Sequence, residues 1–490
     1  MISRPGIRIK FNSMYKNSSR FILILLGCLI FHSVLAQPEI IFKGEVLRNA
    51  GYSAYVIKAE DGRLIFETPQ VSLVPASVMK VITTAAALEI LGPDFKFHTQ
   101  LGCTGNVNRA TGLLNGNLVI KGGGDPAFYS EYFPDHYRGT FEAWAESIMK
   151  VGIKTVQGDL IVDLSCFNGS GVPGGWQWDD LGNYYGSGVS ALTYSDNYYK
   201  IHFSSPSGRA KRVSITGTEP QMDSLRLTNN VLSSEVNRDL ANVIGAPGSF
   251  SQVVEGTIPA GRSDFAVKAA MPNPAETAAI ELSKVLKNTG INISGRIFCT
   301  NKWGGEDFTL IAEKFSPPLK ELIVPLNHES LNLFAEHLLH EIGRARKDST
   351  ELDKSLIALK EFWTEKNIYT DGFYPSDGSG LSRSNGICPR TLAEALRYMY
   401  QSSNRDDFFN SLPVAGLNGT LQNGFKGSVL ENNLRAKTGS MTRVRSLAGI
   451  FTNKKGEKVI FALITNNFKG TQANVSRLIE DFMLEIYDLK

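Results

Sequence analysis

Three short stretches carry side chains that together can attack, deprotonate and hold an acyl group: Ser77-Val78-Met79-Lys80, Ser330-Leu331-Asn332 and Lys437-Thr438-Gly439-Ser440. In the first, the serine and lysine open an apolar run, Val81-Ile82-Thr83-Thr84-Ala85-Ala86-Ala87-Leu88-Glu89-Ile90-Leu91, that stops at Gly92-Pro93. Glycine then proline is a helix C-terminal signal, and residues three apart share a helix face, so Lys80 reaches the Ser77 hydroxyl. An almost wholly apolar helix belongs in a core, and this one carries both polar groups inward at its N-terminal turn. Free N–H groups and the helix dipole favour developing negative charge there. Serine is a weak nucleophile until a neighbouring base takes its proton, and a desolvated lysine can be that base. The plainer use of Ser77 is as an N-cap.

Lys437 to Ser440 reads as part of a strand whose partner begins near Ser446. A glycine inside a strand marks where another backbone comes close. Lys437, Thr438 and Ser440 set one positive charge and two hydroxyls beside Gly439, groups suited to a peptide that lies along the strand edge and ends in a carboxylate. The alternative is a hairpin strand with a surface lysine. Ser330-Leu331-Asn332 directly precedes the helical pattern Leu333-Phe334, His337-Leu338, Glu341-Ile342, where a hydroxyl and an amide two apart suit a proton relay and a substrate clamp. A closer textual match to S-D-N, Ser195-Asp196-Asn197, runs into an alternating, strand-like segment and is read as structural. His337 and His340 share a helix face, but without an H-E-x-x-H pattern they are read as solvated histidines, and no metal or cofactor is expected.

The elements that must position these groups follow from patterning. A hairpin over 51–66 feeds the Ser77 helix, and a β-rich, Ser/Gly/Asn-rich region spans 166–261. Helices are expected over 140–151, 275–286, 318–342, 355–363 and 389–400, and two strands and a helix close the chain over 444–452, 458–465 and 476–487. The glycines at 122–124 read as a tight turn, since no Gly-Lys-Ser/Thr helix start follows them.

Arg4, Arg8, Lys10, Lys16 and Arg20 precede an apolar run from Phe21 to Ala36 that ends in small residues before Gln37-Pro38, the pattern of a secretory signal peptide over 1–36. The run falls short of the ~20 residues of a membrane span, and Cys28 lies too far inside it for a lipoprotein signal. Without that leader the chain has 46 basic and 48 acidic residues, a net of −2, which gives no electrostatic case for nucleic acid. The remaining cysteines, Cys103, Cys166, Cys299 and Cys388, show no C-x-x-C spacing; a Cys103–Cys166 bridge and buried free thiols both fit an exported chain.

In the order S-x-x-K, S-x-N, K-T-G the three stretches form the signature of penicillin-binding proteins and class A β-lactamases. The chain resembles the penicillin-binding protein 4 type of D-alanyl-D-alanine carboxypeptidase and endopeptidase, peptidase family S13. The likeness extends to Gly122-Gly123-Gly124-Asp125-Pro126, to Asp377-Gly378-Ser379-Gly380-Leu381-Ser382-Arg383, and to Arg435–Ser440 followed by Leu447-Ala448-Gly449. The 253 positions separating Ser77 from Ser330 suit a family with two domains inserted there and are too many for a single-domain β-lactamase.

The resemblance implies an α/β (α+β) fold: a transpeptidase core with a five-stranded antiparallel sheet and two inserted β-rich domains. The expected division is a signal peptide at 1–36, a catalytic domain over 37–95 and 308–490, an insert over 96–165 and 262–307, and a nested β-rich domain over 166–261. It implies Ser77 as nucleophile, Lys80 as its base, kept neutral by burial with another cation, Lys437, nearby, Ser330 as proton relay, and Asn332 as clamp. Lys437, Thr438, Gly439 and Ser440 would form the carboxylate site. Trp176-Gln177-Trp178-Asp179-Asp180 resembles an insert segment that reaches the site, making Asp180 a candidate for a diaminopimelate amino group and Arg383 for its carboxylate; the plainer reading of both is a surface ion pair. Expected partners are peptidoglycan stem peptides and cross-links, with β-lactams as covalent inhibitors, in the periplasm and loosely membrane-associated at most. The alternatives are a non-catalytic wall-binding or penicillin-sensing protein and a β-lactamase.

Overall fold

The computed structural model describes residues 44–167, 169, 171–304 and 307–489; the leader at 1–36, with Cys28, lies outside them. One five-stranded antiparallel sheet underlies the three stretches, in the spatial order Arg435–Met441, Val444–Thr452, Lys458–Asn466, Gly51–Lys58, Leu64–Glu67. Its central strands are buried on both faces, so they read as nearly continuous apolar runs. In Lys458–Asn466, Ile460, Ala462 and Ile464 join the core that holds the Ser77 helix, while Val459, Phe461 and Leu463 join a second core under the C-terminal helix Gln472–Asp488. The side-chain period of two thus locks the register, because a one-residue slip would exchange the two cores.

The Ser77 stretch is a 3-10 turn, Ala76–Val78, continuing into the helix Met79–Leu91, and every residue from Met79 to Leu88 is buried. Gly92 closes the helix with a φ of +85°, a conformation open to glycine at little cost. The helical span expected over 318–342 is broken in two, Leu319–His328 and Asn332–Lys347. Between them the chain turns through Ser330, whose φ of +63° ends one helix and presents the next. The remaining expected helices appear as Thr140–Val151, Pro274–Asn288, Leu352–Glu365 and Pro389–Gln401.

Between the Ser77 helix and residue 318 the chain builds four further sheets. Strand pairing crosses two expected boundaries. Thr309–Phe315, expected with the catalytic sheet, hydrogen-bonds along His98–Cys103 at the edge of an insert sheet. Arg262–Ala270, expected in the same insert, pairs with Tyr198–Ser205 of the nested region. Both are main-chain ladders that cross an expected boundary, and sequence composition does not report them. All four described cysteines are free, including Cys103 and Cys166.

Candidate active site

Lys80 Nζ lies 3.1 Å from Ser77 Oγ, 2.6 Å from Asn332 Oδ1 and 2.7 Å from the carbonyl oxygen of Ser379. Ser77 is not an N-cap: neither the 3-10 turn nor the helix after it has a side-chain cap. Instead the turn is strained, with Ala76 at φ +51° immediately before the serine. Such strain in a non-glycine residue costs on the order of 1–3 kcal/mol and persists only where the surroundings impose it.

Those surroundings are the strand Arg435–Met441. A Cβ at Gly439 would stand 2.6 Å from the Pro75 carbonyl oxygen and 3.0 Å from the Ser77 nitrogen, so only glycine lets the strand press against the nucleophile's turn. Ser446, opposite Gly439 on the next strand, donates its hydroxyl to the same Pro75 carbonyl at 2.5 Å. Lys437 is wholly buried and donates to the Thr438 carbonyl at 3.0 Å, which excludes a surface lysine. Thr438 Oγ1 bonds Thr420 Oγ1 at 2.8 Å, and Ser440 is exposed.

Desolvation brings the fully buried Lys80 ammonium down to about 7, against the opposing pull of Asp377 and Glu336. Lys437 lies well below its ordinary range, through burial first and then the charges of Lys80 and Arg445. Of the two causes expected at Lys80, burial acts there and the neighbouring cation does not. Burial lowers Lys80, and the repulsion between the two cations falls on Lys437, because the neighbouring carboxylates favour charge on Lys80.

Ser77, Ser330, Asn332 and Ser440 line one cavity of about 580 Å³, and Asp180 and Arg383 line it too. Asp180 and Arg383 are not paired with each other. Tyr185 donates its hydroxyl to Asp180 Oδ1 at 3.2 Å, while Arg383 donates Nε to Gln177 Oε1 at 3.0 Å and its terminal nitrogens to the Thr442 carbonyl. Burial raises the Asp180 carboxyl above its usual range. Asn332 Nδ2 donates to the Tyr185 carbonyl at 2.8 Å, so this side chain joins the insert to Lys80.

The histidines differ from expectation. His337 and His340 are buried, and their Nδ1 atoms meet the carbonyls of Gly124 and Thr350 at 2.7 Å each. Burial pushes His337 down to about 3, so it is a neutral tie between helix and insert turn rather than a solvated cation. Sequence reading missed Glu336 and Asp377 behind Lys80. Glu336 stands one turn after Asn332, a spacing that places it on the same helix face; it accepts the N–H groups of Gly378 and Ser379. Burial and Asp377 together raise its carboxyl.

A buried lysine against a serine on a strained turn, an S-x-N turn and a K-T-G strand edge on an antiparallel sheet define a serine acyl-transfer enzyme of the penicillin-recognising class. Within that class, the chain belongs to the D-Ala-D-Ala carboxypeptidase 3 (S13) family, whose sequence model matches residues 36–488. It is 28% identical over 405 residues to D-alanyl-D-alanine carboxypeptidase DacB of Haemophilus influenzae, covering 81% of each chain. It is also 28% identical over 414 residues to a D-alanyl-D-alanine carboxypeptidase of an Actinomadura species, covering 81% of this chain and 74% of that one. The crystal structure of penicillin-binding protein 4 (dacB) from Haemophilus influenzae superposes with a TM-score of 0.79 at 25% identity, over 92% of this chain and 99% of that one. The chain is thus a peptidase with the fold of that structure.

Proposed function

We propose that this chain is an exported serine D-Ala-D-Ala carboxypeptidase and endopeptidase that acylates Ser77 with peptidoglycan stem peptides. Ser77 Oγ bonds to the carbonyl carbon of the penultimate D-alanine while Lys80, in its neutral form, takes its proton. Ser330 passes a proton to the leaving amine, and Asn332 holds the amide on the acyl side. The N–H groups of Ser77 and Ser440 hold the oxyanion, a contribution of about 3–4 kcal/mol for each donor. Lys437, Thr438 and Ser440 bind the terminal carboxylate, with Gly439 leaving room for the strand to approach. Asp180 takes a side-chain ammonium of the stem peptide and Arg383 a carboxylate beside it. Water then hydrolyses the acyl-enzyme. A cross-link presents the same D-alanyl carbonyl, so peptide trimming and cross-link cleavage share one chemistry.

Export rests on the leader pattern at 1–36, which places the enzyme in the periplasm. Among the described residues no helix is long and apolar enough to cross a membrane. The observation that carries the reading is the 3.1 Å approach of a buried Lys80 to Ser77 at the wall of a cavity shared with Ser330, Asn332 and Ser440. Intact mass after incubation with benzylpenicillin tests it. The mature protein is expected to gain one penicillin and Ser77→Ala none. An unmodified protein with penicillin left intact would overturn the acyl-enzyme, and penicillin hydrolysed without an adduct would make the protein a β-lactamase.

A further inference from the structure

At one edge of the cavity the insert touches the catalytic core through a short arm, residues 175–177, laid on the loop 377–383, and Gln177, Gly380, Leu381 and Arg383 line the cavity. The arm makes three contacts in three residues. A Cβ on Gly175 would collide with Ser382 Oγ and stand 3.2 Å from Ser382 Cβ, so glycine leaves the room that the Ser382 side chain takes against the arm. Trp176, 7% exposed, donates Nε1 to Asp377 Oδ2 at 2.9 Å. Gln177 accepts from Arg383 at 3.0 Å.

Asp377 is fully buried and organises the loop. Its Oδ1 accepts the Gly380 N–H and Asn385 Nδ2, both at 2.7 Å, and its Oδ2 accepts the Ser382 N–H at 2.5 Å beside Trp176. The loop so folded aims the Ser379 carbonyl at Lys80 Nζ, 2.7 Å away. It also sets Gly380, at φ +84°, against Met79, where a Cβ would lie 2.9 Å from Met79 Cβ. From the other side, Glu336 holds the Gly378 and Ser379 N–H groups. The groups facing Lys80 are therefore Ser77, Asn332 and the Ser379 carbonyl in contact, with Asp377, Glu336 and Lys437 acting through their charge.

We infer that Trp176 and Asp377 are positioning residues for Lys80: the indole N–H of the insert arm fixes the buried carboxylate that shapes the Ser379 carbonyl and sets the field at the lysine. The arm that carries Trp176 continues to Asp180, which lines the cavity, and the loop that carries Asp377 continues to Arg383. Substrate recognition by the insert and readiness of the base thus share one hydrogen bond. The inference rests on the proposed role of Lys80 as the base.

The test is the pH dependence of Ser77 acylation by benzylpenicillin in the full mature protein, in Trp176→Phe and in Asp377→Asn. Trp176→Phe leaves the Asp377 charge less compensated, so Lys80 holds its proton more tightly. The acylation midpoint is expected to move up by about half to one pH unit, with a loss of about 2- to 5-fold in rate at pH 7. Asp377→Asn removes the charge and keeps an acceptor oxygen for the indole, so its midpoint is expected to move down. Opposite displacements from two substitutions on one hydrogen bond are not the signature of loosened packing. Should Asp377→Asn fail to fold, the upward displacement in Trp176→Phe, measured with its melting temperature, carries the test. Wild-type midpoints in both variants, with rates following the folded fraction alone, would overturn the inference. No wild-type adduct at Ser77 would instead overturn the reading of Lys80 on which it rests.

Discussion

Ser330-Leu331-Asn332 and Ser195-Asp196-Asn197 each place a serine and an asparagine two residues apart, and each serine has left-handed backbone, φ +63° and +50°. The second sits in a 3-10 turn before the strand Tyr198–Ser205, and its side chains tie that turn to the segments at 130–131 and 188–194. Asp196 accepts the Ser130 hydroxyl at 2.6 Å and the Glu131 N–H at 3.0 Å. Asn197 bonds the Tyr194 N–H and the Gly188 carbonyl. The first tripeptide instead begins the helix Asn332–Lys347 and reaches across 252 residues to Lys80. What separates them is which partner the fold brings opposite, a buried lysine in one case and a neutral hydroxyl and backbone groups in the other. A motif becomes a site when the partner opposite it can do chemistry.

The comparison breaks most visibly at Lys80, the group only one tripeptide faces. Lys80→Met keeps the length of the side chain and removes the base. Acylation by benzylpenicillin, followed as the rate of adduct formation, is expected to fall by about 10³- to 10⁴-fold. Ser330→Ala should follow with a loss of about 10²-fold in release of D-alanine from a stem peptide. An unchanged rate there would remove Ser330 from the proton path and leave its strained turn unexplained.

Lys80 also predicts a pH profile. With its ammonium brought down to about 7 by burial, the lysine is protonated below that pH and cannot take the Ser77 proton. Acylation should therefore fall about tenfold for each pH unit below 7 and level off above it. A midpoint near 10 would mean that Lys80 is solvated in the working enzyme.

Much of this site is written in local spacing, and the remainder is written in contacts that cross the chain. The three-residue interval from Ser77 to Lys80 on an apolar helix foretells a buried pair, and the strand glycine at 439 foretells a close backbone, found at Pro75 and Ser77. The five-stranded sheet was legible from family resemblance alone, since its central strands, buried on both faces, carry nearly continuous apolar runs. His337 and His340 were misread because a histidine on a helix face looks the same whether water or an insert covers it. The break at Ser330 was hidden because the apolar period continues across it from one helix to the next. Trp176 and Asp377 are 201 residues apart, and nothing local to either announces the other.

The finest distinction lies within the second tripeptide. Asp196→Ala strands the Ser130 hydroxyl and the Glu131 N–H in a buried place, a cost of about 1–3 kcal/mol in unfolding free energy. Ser195 differs: its hydroxyl makes no hydrogen bond among the described residues, and its N–H, bonded to the Phe128 carbonyl at 3.2 Å, survives substitution. Alanine and serine tolerate left-handed backbone about equally poorly, so Ser195→Ala adds little strain to a turn already at φ +50°. Its stability should stay within about 0.5 kcal/mol of wild type, and its penicillin adduct should form at the wild-type rate. Because Ser330→Ala makes the same change at the same backbone conformation, the ratio of the two acylation rates isolates what position adds to an identical side chain. A ratio near one would mean that neither serine passes a proton, however well the first is placed.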